Sequence, residues 1–201
     1  MKWLFIGDSI TDSGRNQDPE GLGYGYVKMI KEEKIIKEFH VEIINKGVSG
    51  NRITDLESRW KRDVLALEPD LISISIGIND VWRQLDHSEM EQVLPSEFEE
   101  IYERLLNKVN DGIVQIVLME PTIIEENIYS KGNQLLMPYV EIVRKLGAKF
   151  GAIVVPTHET FLQALGEKKD TLTTDGVHMT SVGNRLMADT WLKSYKDNLL
   201  R

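Results

Sequence analysis

Short apolar runs alternate with amphipathic stretches along the chain, and this alternation gives the first indication of its fold. These runs are three to seven residues long, and several end beside glycine or proline. Such punctuation is typical of buried β-strands. The predicted strands are 3–6, 41–44, 71–76, 113–119 and 153–155.

Apolar residues at helical spacing predict helices between and after these strands. Two helices start at apparent capping boxes, formed by Thr54 with Glu57 and by Ser96 with Glu99. Pro69 is expected to end the first of them. The predicted helices are 24–39, 54–67, 96–109, 135–150, 159–165 and 181–195.

Alternating strands and helices favour parallel pairing through crossover connections. The sequence therefore predicts the α/β class, as a three-layer α/β/α sandwich around a central, mostly parallel five-stranded sheet. No repeat and no Pro/Gly/Ser-rich linker divides the chain, so one domain over residues 1–201 is expected. In open sheets of this kind, sites form beyond the carboxyl ends of the strands.

Composition narrows the possible partners. The net charge of −8 repels phosphate backbones and anionic lipid, so neither nucleic acid nor a membrane surface is an expected partner. The absence of cysteine removes disulfides, thiolate nucleophiles and thiolate metal sites, and neither a metal nor a cofactor is expected. The apolar run at residues 1–6 is too short for a signal-peptide core, and a cytoplasmic location is expected.

Ser9 is the first candidate for chemistry, since it follows Gly7 and Asp8 at a strand-to-helix turn. Glycine permits tight backbone geometry there, and a helix N-terminus favours developing negative charge. A serine hydroxyl is a weak nucleophile and needs a base. The alternative is a serine that only caps a helix.

Histidine can act as that base near neutral pH. Of the four histidines, His40, His87 and His158 lie in segments that predict structural or exposed positions. His178 lies in a loop with glycine and with Asp175 three residues before it. The alternative for this pair is a local surface ion pair.

An acyl-transfer site also needs donors for an oxyanion. Gly50, after the second strand, could offer a backbone N–H, and Asn79, after the third strand, its side-chain amide. Gly50 could also be a simple turn and Asn79 an Asx turn.

Four segments, which contain Ser9, Gly50, Asn79 and His178 and follow one another in that order, resemble the signature blocks of the SGNH, or GDSL, hydrolases. The resemblance implies a flavodoxin-like fold in which Ser9 is the nucleophile, His178 the base and Asp175 its orienting partner. It also implies an oxyanion hole made of the Ser9 and Gly50 N–H groups and the Asn79 amide. Met179 departs from the family pattern, which often has proline there. The matching segments are Gly7-Asp8-Ser9, Gly50, Gly77-Ile78-Asn79-Asp80 and Asp175-Gly176-Val177-His178.

The segments 5–12, 45–51 and 77–84 further resemble the intracellular acetylxylan-esterase branch. That resemblance implies a serine esterase acting on short acyl esters, such as acetyl groups on xylo-oligosaccharides, with association into oligomers. Trp82 would then line the substrate pocket; a core or oligomer-contact role is the alternative. Lysophospholipase or thioesterase activity stays open, because segments 81–95 and 121–134, which would shape the pocket, have no predicted conformation.

Two other classes of function compete. A metal-dependent phosphoesterase would use Asp8 and Asp80, although few further ligands are expected near His178. A non-catalytic α/β module binding a small ligand would use the glycine-rich segment 21–25, which lacks the dinucleotide fingerprint.

Overall fold

The computed structural model describes residues 1–109, 112–167 and 170–199. Its centre is a five-stranded sheet with the strand order β2-β1-β3-β4-β5, in which every neighbouring pair is parallel. This confirms the predicted class and sheet. The strands are β1 (Lys2–Gly7), β2 (Glu42–Gly47), β3 (Leu71–Ser75), β4 (Gln115–Met119) and β5 (Ile153–Val155).

Helices cover both faces of the sheet. Helix α9 packs on α2 and α8, whereas α4, α6 and α7 form a second packed group. The helices are α1 (Ser9–Asp12), α2 (Tyr26–Glu32), α3 (Lys34–Glu38), α4 (Ile53–Asp63), α5 (Ile78–Asp86), α6 (Pro95–Asn107), α7 (Lys131–Phe150), α8 (Thr157–Glu167) and α9 (Ser181–Leu199).

Aromatic packing joins the sheet to α9. Trp3 and Phe5 are two residues apart on β1, so both side chains leave the same face of the sheet. The Trp191 ring lies 5.8 Å from the Trp3 ring and 5.4 Å from the Phe5 ring, and its indole N–H donates to Ser73 Oγ at 3.0 Å. Burial of such large rings gives the strongest apolar contribution on this face.

The chain reverses its direction of winding at β1. From β1 it first crosses to β2 on one side and later returns to β3 on the other side. Gly7 at the end of β1 is in register with Gly47 of β2 and Ser75 of β3, so the loops after three strands start side by side. Such a switch point is where open α/β sheets place their sites.

Both predicted capping boxes, Thr54 with Glu57 and Ser96 with Glu99, are wrong. Helices α4 and α6 each begin one residue earlier, so the two hydroxyl residues lie inside the first turn. In α4 the Asp55 carboxylate accepts the backbone N–H of the cap residue at 2.8 Å instead. The two glutamates form ion pairs with basic residues of neighbouring helices.

Other element boundaries also differ. The predicted helix 24–39 is two helices, because Glu33 between α2 and α3 adopts an extended conformation with φ −65° and ψ 136°. Helix 54–67 ends at Asp63 and a short 3₁₀ turn follows, so Pro69 is not what ends it. Strand 113–119 begins only at Gln115, since Ile113 is 81% exposed. Helix α5 was not predicted.

Across the described parts of the chain, no helix combines the length and the apolarity needed to cross a membrane.

Candidate active site

Ser9, His178 and Asp175 form one hydrogen-bonded chain at the rim of the sheet. His178 Nε2 lies 2.9 Å from Ser9 Oγ, and His178 Nδ1 lies 2.7 Å from Asp175 Oδ2. The serine and the histidine are 169 residues apart in sequence. The fold therefore brings together the three side chains that the sequence singled out.

Ser9 is the first residue of α1, directly after β1. Asp8 caps this short helix, and its carboxylate accepts the Ile10 N–H at 3.0 Å. Glycine is required at the end of β2, because a β carbon at Gly47 would collide with the backbone of Asp12 in α1. The tight packing of α1 on the strand ends fixes the backbone that carries the hydroxyl.

Asp175 holds its own turn as well as the imidazole. Its Oδ1 accepts the backbone N–H groups of Val177 at 3.0 Å and His178 at 2.8 Å, while Oδ2 faces the ring. The Thr174 N–H also donates to the His178 carbonyl at 2.7 Å. Gly176, with φ +94°, provides the left-handed residue that this turn needs.

The pKa of Asp175 lies below its usual range. Partial burial alone would raise it, but the hydrogen bonds from the His178 ring and from the backbone N–H groups of His178 and Val177 outweigh that effect. The carboxylate therefore stays ionised at neutral pH and favours the imidazole tautomer that carries its proton on Nδ1.

The loop of His178 is anchored by the segment after β4, which the sequence predicted to shape the pocket without singling out Glu125 or Glu126. Glu126 Oε1 accepts three hydrogen bonds, from the Leu172 N–H at 2.7 Å and from the N–H and hydroxyl of Thr173 at 2.6 and 2.8 Å. The Glu125 N–H donates to the Gly176 carbonyl at 2.8 Å. No local pattern could reveal these contacts, since they join positions 46 or more residues apart.

The two other candidate oxyanion residues lie in connected segments. Gly50, with φ +81°, is in the exposed turn after β2, and Asn79 is buried in the first turn of α5. Asn79 Nδ2 donates to the carbonyl of Asn51, next to Gly50, at 3.1 Å. The amide has a second N–H that this bond does not use.

Trp82 lies beside the histidine. The centroid of its ring lies 5.8 Å from that of the His178 ring in an edge-on arrangement, and the Arg83 guanidinium lies 5.2 Å from the same Trp82 centroid. The side chain is half-buried, so part of the ring stays accessible. Arg83 also pairs with Asp86 at 2.6 Å.

A cleft of about 270 Å³ opens at Ser9 and His178. Hydroxyls of Ser13 and Ser49 line it, and Ser49 Oγ donates to Asp12 at 2.8 Å. Ligand pockets commonly measure ~300–1,000 Å³, so this cleft is small. The remaining lining residues are Ile10, Gly14, Met179 and Asn184.

Two carboxyl groups, of Asp8 next to Ser9 and of Asp80 next to Asn79, are buried. Burial raises the pKa of Asp8 to about 7, and burial likewise raises the pKa of Asp80 to about 7. Asp80 Oδ1 accepts the Ile53 N–H at 3.1 Å, whereas Oδ2 has no hydrogen-bond partner among the described residues.

The other three histidines make separate contacts. His40 Nδ1 bonds the Glu38 carbonyl at 2.9 Å, His87 pairs with Glu89 at 3.0 Å, and both are exposed. Buried His158 bonds the Thr122 carbonyl through Nδ1 at 2.5 Å. Within residues 1–109, 112–167 and 170–199, no group of three or more His, Cys, Asp or Glu side chains is arranged to hold a metal ion.

The glycine-rich segment 21–25 ends at the start of α2, where Gly25 is the cap residue. The Tyr26 N–H there donates to Asn184 Oδ1 at 3.0 Å. This donor, which a phosphate-binding loop would use, is therefore engaged within the protein.

Comparison with known proteins decides the family. The profile of the GDSL-like lipase/acylhydrolase family matches residues 5–186. The chain belongs to this family. Membership makes it a carboxylic ester hydrolase, in agreement with the function that the sequence predicted.

Several members are similar over nearly the whole length. An acetylxylan esterase of Geobacillus stearothermophilus is 36% identical over 203 aligned residues, covering 96% of this chain and 92% of the esterase. The structure of that organism's acetylxylan esterase Axe2 superposes with a TM-score of 0.87 at 34% identity, covering 96% of this chain and 93% of Axe2. Structures of Axe2 described as catalytic mutants replace a serine, a histidine or an aspartate by alanine.

A further similar structure is LAE5, described as an α/β hydrolase enzyme from the metagenome of Lake Arreo, Spain. It superposes with a TM-score of 0.91 at 30% identity, covering 97% of this chain and 94% of LAE5. The GDSL fold expected from the sequence is therefore the observed one.

Proposed function

We propose that this family member is a serine esterase that removes short acyl groups, acetyl above all, from hydroxylated carbohydrates such as xylo-oligosaccharides. The observation that carries the proposal is the hydrogen-bonded chain from Ser9 through His178 to Asp175, which opens into a small polar cleft. A nucleophile, a base and an orienting group within hydrogen-bond reach are the arrangement that acyl transfer requires.

In the proposed reaction, His178 Nε2 takes the Ser9 proton while Ser9 Oγ attacks the ester carbonyl. The tetrahedral intermediate collapses when the imidazolium protonates the leaving alcohol, which leaves an acyl group on Ser9. A water molecule then attacks this ester with the same base, and the acid and free Ser9 are released. Asp175 keeps the imidazole oriented and stabilises its charged form.

The proposed oxyanion donors are the N–H groups of Ser9 and Gly50 and the amide of Asn79. Their segments start at the ends of three adjacent strands, and the Asn79 amide is held at the carbonyl next to Gly50. Fixed donors in a partly buried site stabilise the developing charge without having to reorient.

Cleft size and chemistry support the substrate class. The cleft of about 270 Å³ at Ser9 and His178 is small, which supports a small bound group at these two residues. Serine hydroxyls on the wall suit an alcohol that carries further hydroxyls, and the exposed part of Trp82 offers an apolar surface beside His178. The name of the Geobacillus esterase points to the same class of substrate. The cytoplasmic location, the one-domain organisation and any self-association stay predictions.

The test is a panel of acetyl, butyryl and octanoyl esters together with acetylated xylo-oligosaccharides, with release of both alcohol and acid measured. We expect kcat/KM to be highest for the acetyl esters, and acetate to be released from the oligosaccharides. Ser9→Ala should abolish both activities, whereas Ser58→Ala, which removes a hydroxyl on the exposed face of α4, should leave them unchanged. A preference for octanoyl esters would favour the lysophospholipase or thioesterase alternative.

A further inference from the structure

A buried guanidinium connects the segments that carry the proposed oxyanion donors. The Arg59 side chain, on α4, is only 7% exposed. Its Nη2 donates to the Gly7 carbonyl at 2.9 Å, its Nη1 to the Lys46 carbonyl at 2.8 Å, and its Nε to Asn51 Oδ1 at 2.6 Å. Nη1 also faces Asp63 at 3.1 Å. One side chain thus bonds to the ends of two strands and to the turn after the second.

Two of these acceptors are close in sequence to a proposed donor of the oxyanion hole. Gly7 is two residues before Ser9, and Asn51 directly follows Gly50. The carbonyl of Asn51 in turn accepts the bond from the Asn79 amide. The guanidinium is therefore bonded, directly or through Asn51, to all three segments.

The charge of this guanidinium is balanced locally. Asp63 lies on the same helix and is itself buried, so the buried guanidinium faces a carboxylate, which the exposed Arg62 also binds. A planar guanidinium has five N–H donors in a fixed fork, and it can hold several acceptors at set angles. Its contribution to the reaction should therefore come from geometry rather than from attraction of the oxyanion.

We propose that Arg59 is a positioning residue that fixes the relative placement of the Ser9, Gly50 and Asn79 donors. This inference rests on the proposed function. Donors stabilise a transition state only when they are already placed where the charge develops. Loss of the hydrogen bonds from the Arg59 guanidinium would let the loops after β1 and β2 move apart. This movement should lower kcat more than it raises KM.

Arg62 provides a matched control. It lies on the same helix and binds the same Asp63 carboxylate at 2.9 Å, but from the solvent side, where its side chain is 77% exposed. Arg59→Lys and Arg62→Lys make the same chemical change and keep the same charge. They differ in whether the bonds to the strand ends are lost.

The first measurement compares kcat and KM of the two variants on an acetyl ester. For Arg59→Lys we expect kcat to fall by ~10–100-fold with KM within ~2-fold, since small displacements of reacting groups cost up to about that much. For Arg62→Lys we expect both constants within ~2-fold of the parent, as for an exposed surface change. Active-site titration of each preparation corrects for any unfolded protein. Equal kcat in the two corrected variants would overturn the inference.

The second measurement places Arg59→Lys in an Asn79→Ala background. If Arg59 acts through the donors, its substitution should lower kcat by only ~3-fold or less there, because residues that act as a unit are not additive. The same fold-loss in both backgrounds, after titration, would contradict the proposal.

A milder variant covers the case in which Arg59→Lys does not fold. Asn51→Ala removes one acceptor of the guanidinium at a half-buried position and keeps the backbone carbonyl that Asn79 uses. We expect kcat to fall by ~10-fold with KM nearly unchanged, and an unchanged kcat would overturn the inference. Failure of the proposed function would be distinguishable, since the parent would then prefer octanoyl esters or Ser9→Ala would stay active, and neither result depends on Arg59.

Discussion

The two halves of the candidate site are built in different ways. The half that holds Ser9, Gly50 and Asn79 grows out of three adjacent parallel strands, and Asn79 is 1% exposed. The half that holds Asp175 and His178 is a single loop, whose two side chains are 46% and 39% exposed. One half is positioned by the core of the protein and the other by a few hydrogen bonds at its surface.

This difference predicts which substitutions each half of the site should tolerate. Groups fixed by a packed core move little when one surface contact is lost. An exposed loop belongs to the less stable parts of a fold, and its placement depends on each anchoring bond. Substitutions in each half can therefore be compared, beginning with those expected to lower kcat most.

The reacting groups themselves should show no difference between the halves. Ser9→Ala and His178→Ala should each lower kcat by ~10⁴–10⁶-fold, because either change stops the same step, and the double variant should lose no more. Stopped-flow and steady-state assays on an acetyl ester measure this, with Ser58→Ala as the control. Additive losses in the double variant would mean that the two residues act independently.

Asn79→Ala tests the half built on the sheet. Loss of one oxyanion donor should lower kcat by ~10²–10³-fold with little change in KM, since the amide acts on the transition state. Asn107→Ala, which removes an exposed amide at the end of α6, is the control and should keep full activity. A rise in KM at constant kcat would instead assign Asn79 to substrate binding.

Glu126→Gln tests the half built on the loop. It removes the charge from the oxygen that accepts three hydrogen bonds from Leu172 and Thr173, so His178 should be held less tightly and kcat should fall by ~10-fold. Glu125→Gln is the matched control, because the neighbouring residue contacts the loop through its backbone N–H, which the change leaves intact.

Comparison of Glu126→Gln with Glu125→Gln tests whether the loop that carries His178 depends on the Glu126 carboxylate. Faster hydrogen exchange in residues 171–179 should accompany the loss of activity in Glu126→Gln and be absent in Glu125→Gln. Equal activity in both variants would show that the loop does not depend on this anchor.

Asp80→Asn should have the smallest effect on the reaction and a visible effect on stability. The folded-state pKa of Asp80, about 7, lies above the ~3.9 of an unfolded carboxyl, so the folded protein holds a proton that the unfolded chain loses. Stability from this group therefore falls as pH rises from about 4 to about 7 and stays low above that. Asparagine does not titrate, so the variant avoids this loss.

The measurement for Asp80 is the melting temperature at several pH values. We expect the variant to melt a few degrees above the parent at pH 8, roughly the shift that 1 kcal/mol gives in a domain of this size, with a smaller difference at pH 5. A constant difference at all pH values would contradict a raised pKa for Asp80.

Much of this architecture follows from local sequence patterns. The ends of β1 and β3 were predicted to within one residue because apolar runs stop beside Gly7 and Gly77, whereas β2 was predicted to end at 44 and runs on to Gly47. His178 was singled out because a carboxylate and a glycine share its loop. These signals are local, and local signals decide where strands end and which turns form.

Residues that act across the fold were not predictable in the same way. Arg59 and Glu126 read as ordinary charged residues, and their importance comes from partners that only the folded chain brings near. Helix α5 is a different case, because Ile78, Val81 and Trp82 recur at helical spacing, and this signal could have revealed it. The capping boxes failed because the helices begin at Ile53 and Pro95, and in α4 it is Asp55 that accepts the N–H of the cap residue.

The proposed reaction requires that Ser9 carries the acyl group between its two steps. The most direct measurement is rapid acid quench during turnover of an acetyl ester, followed by mass spectrometry of the digested protein. We expect an acetyl group on the peptide that contains Ser9, with a burst of alcohol of equal amount, and neither in Ser9→Ala. An acetyl group on another residue, or an undiminished burst in Ser9→Ala, would contradict it.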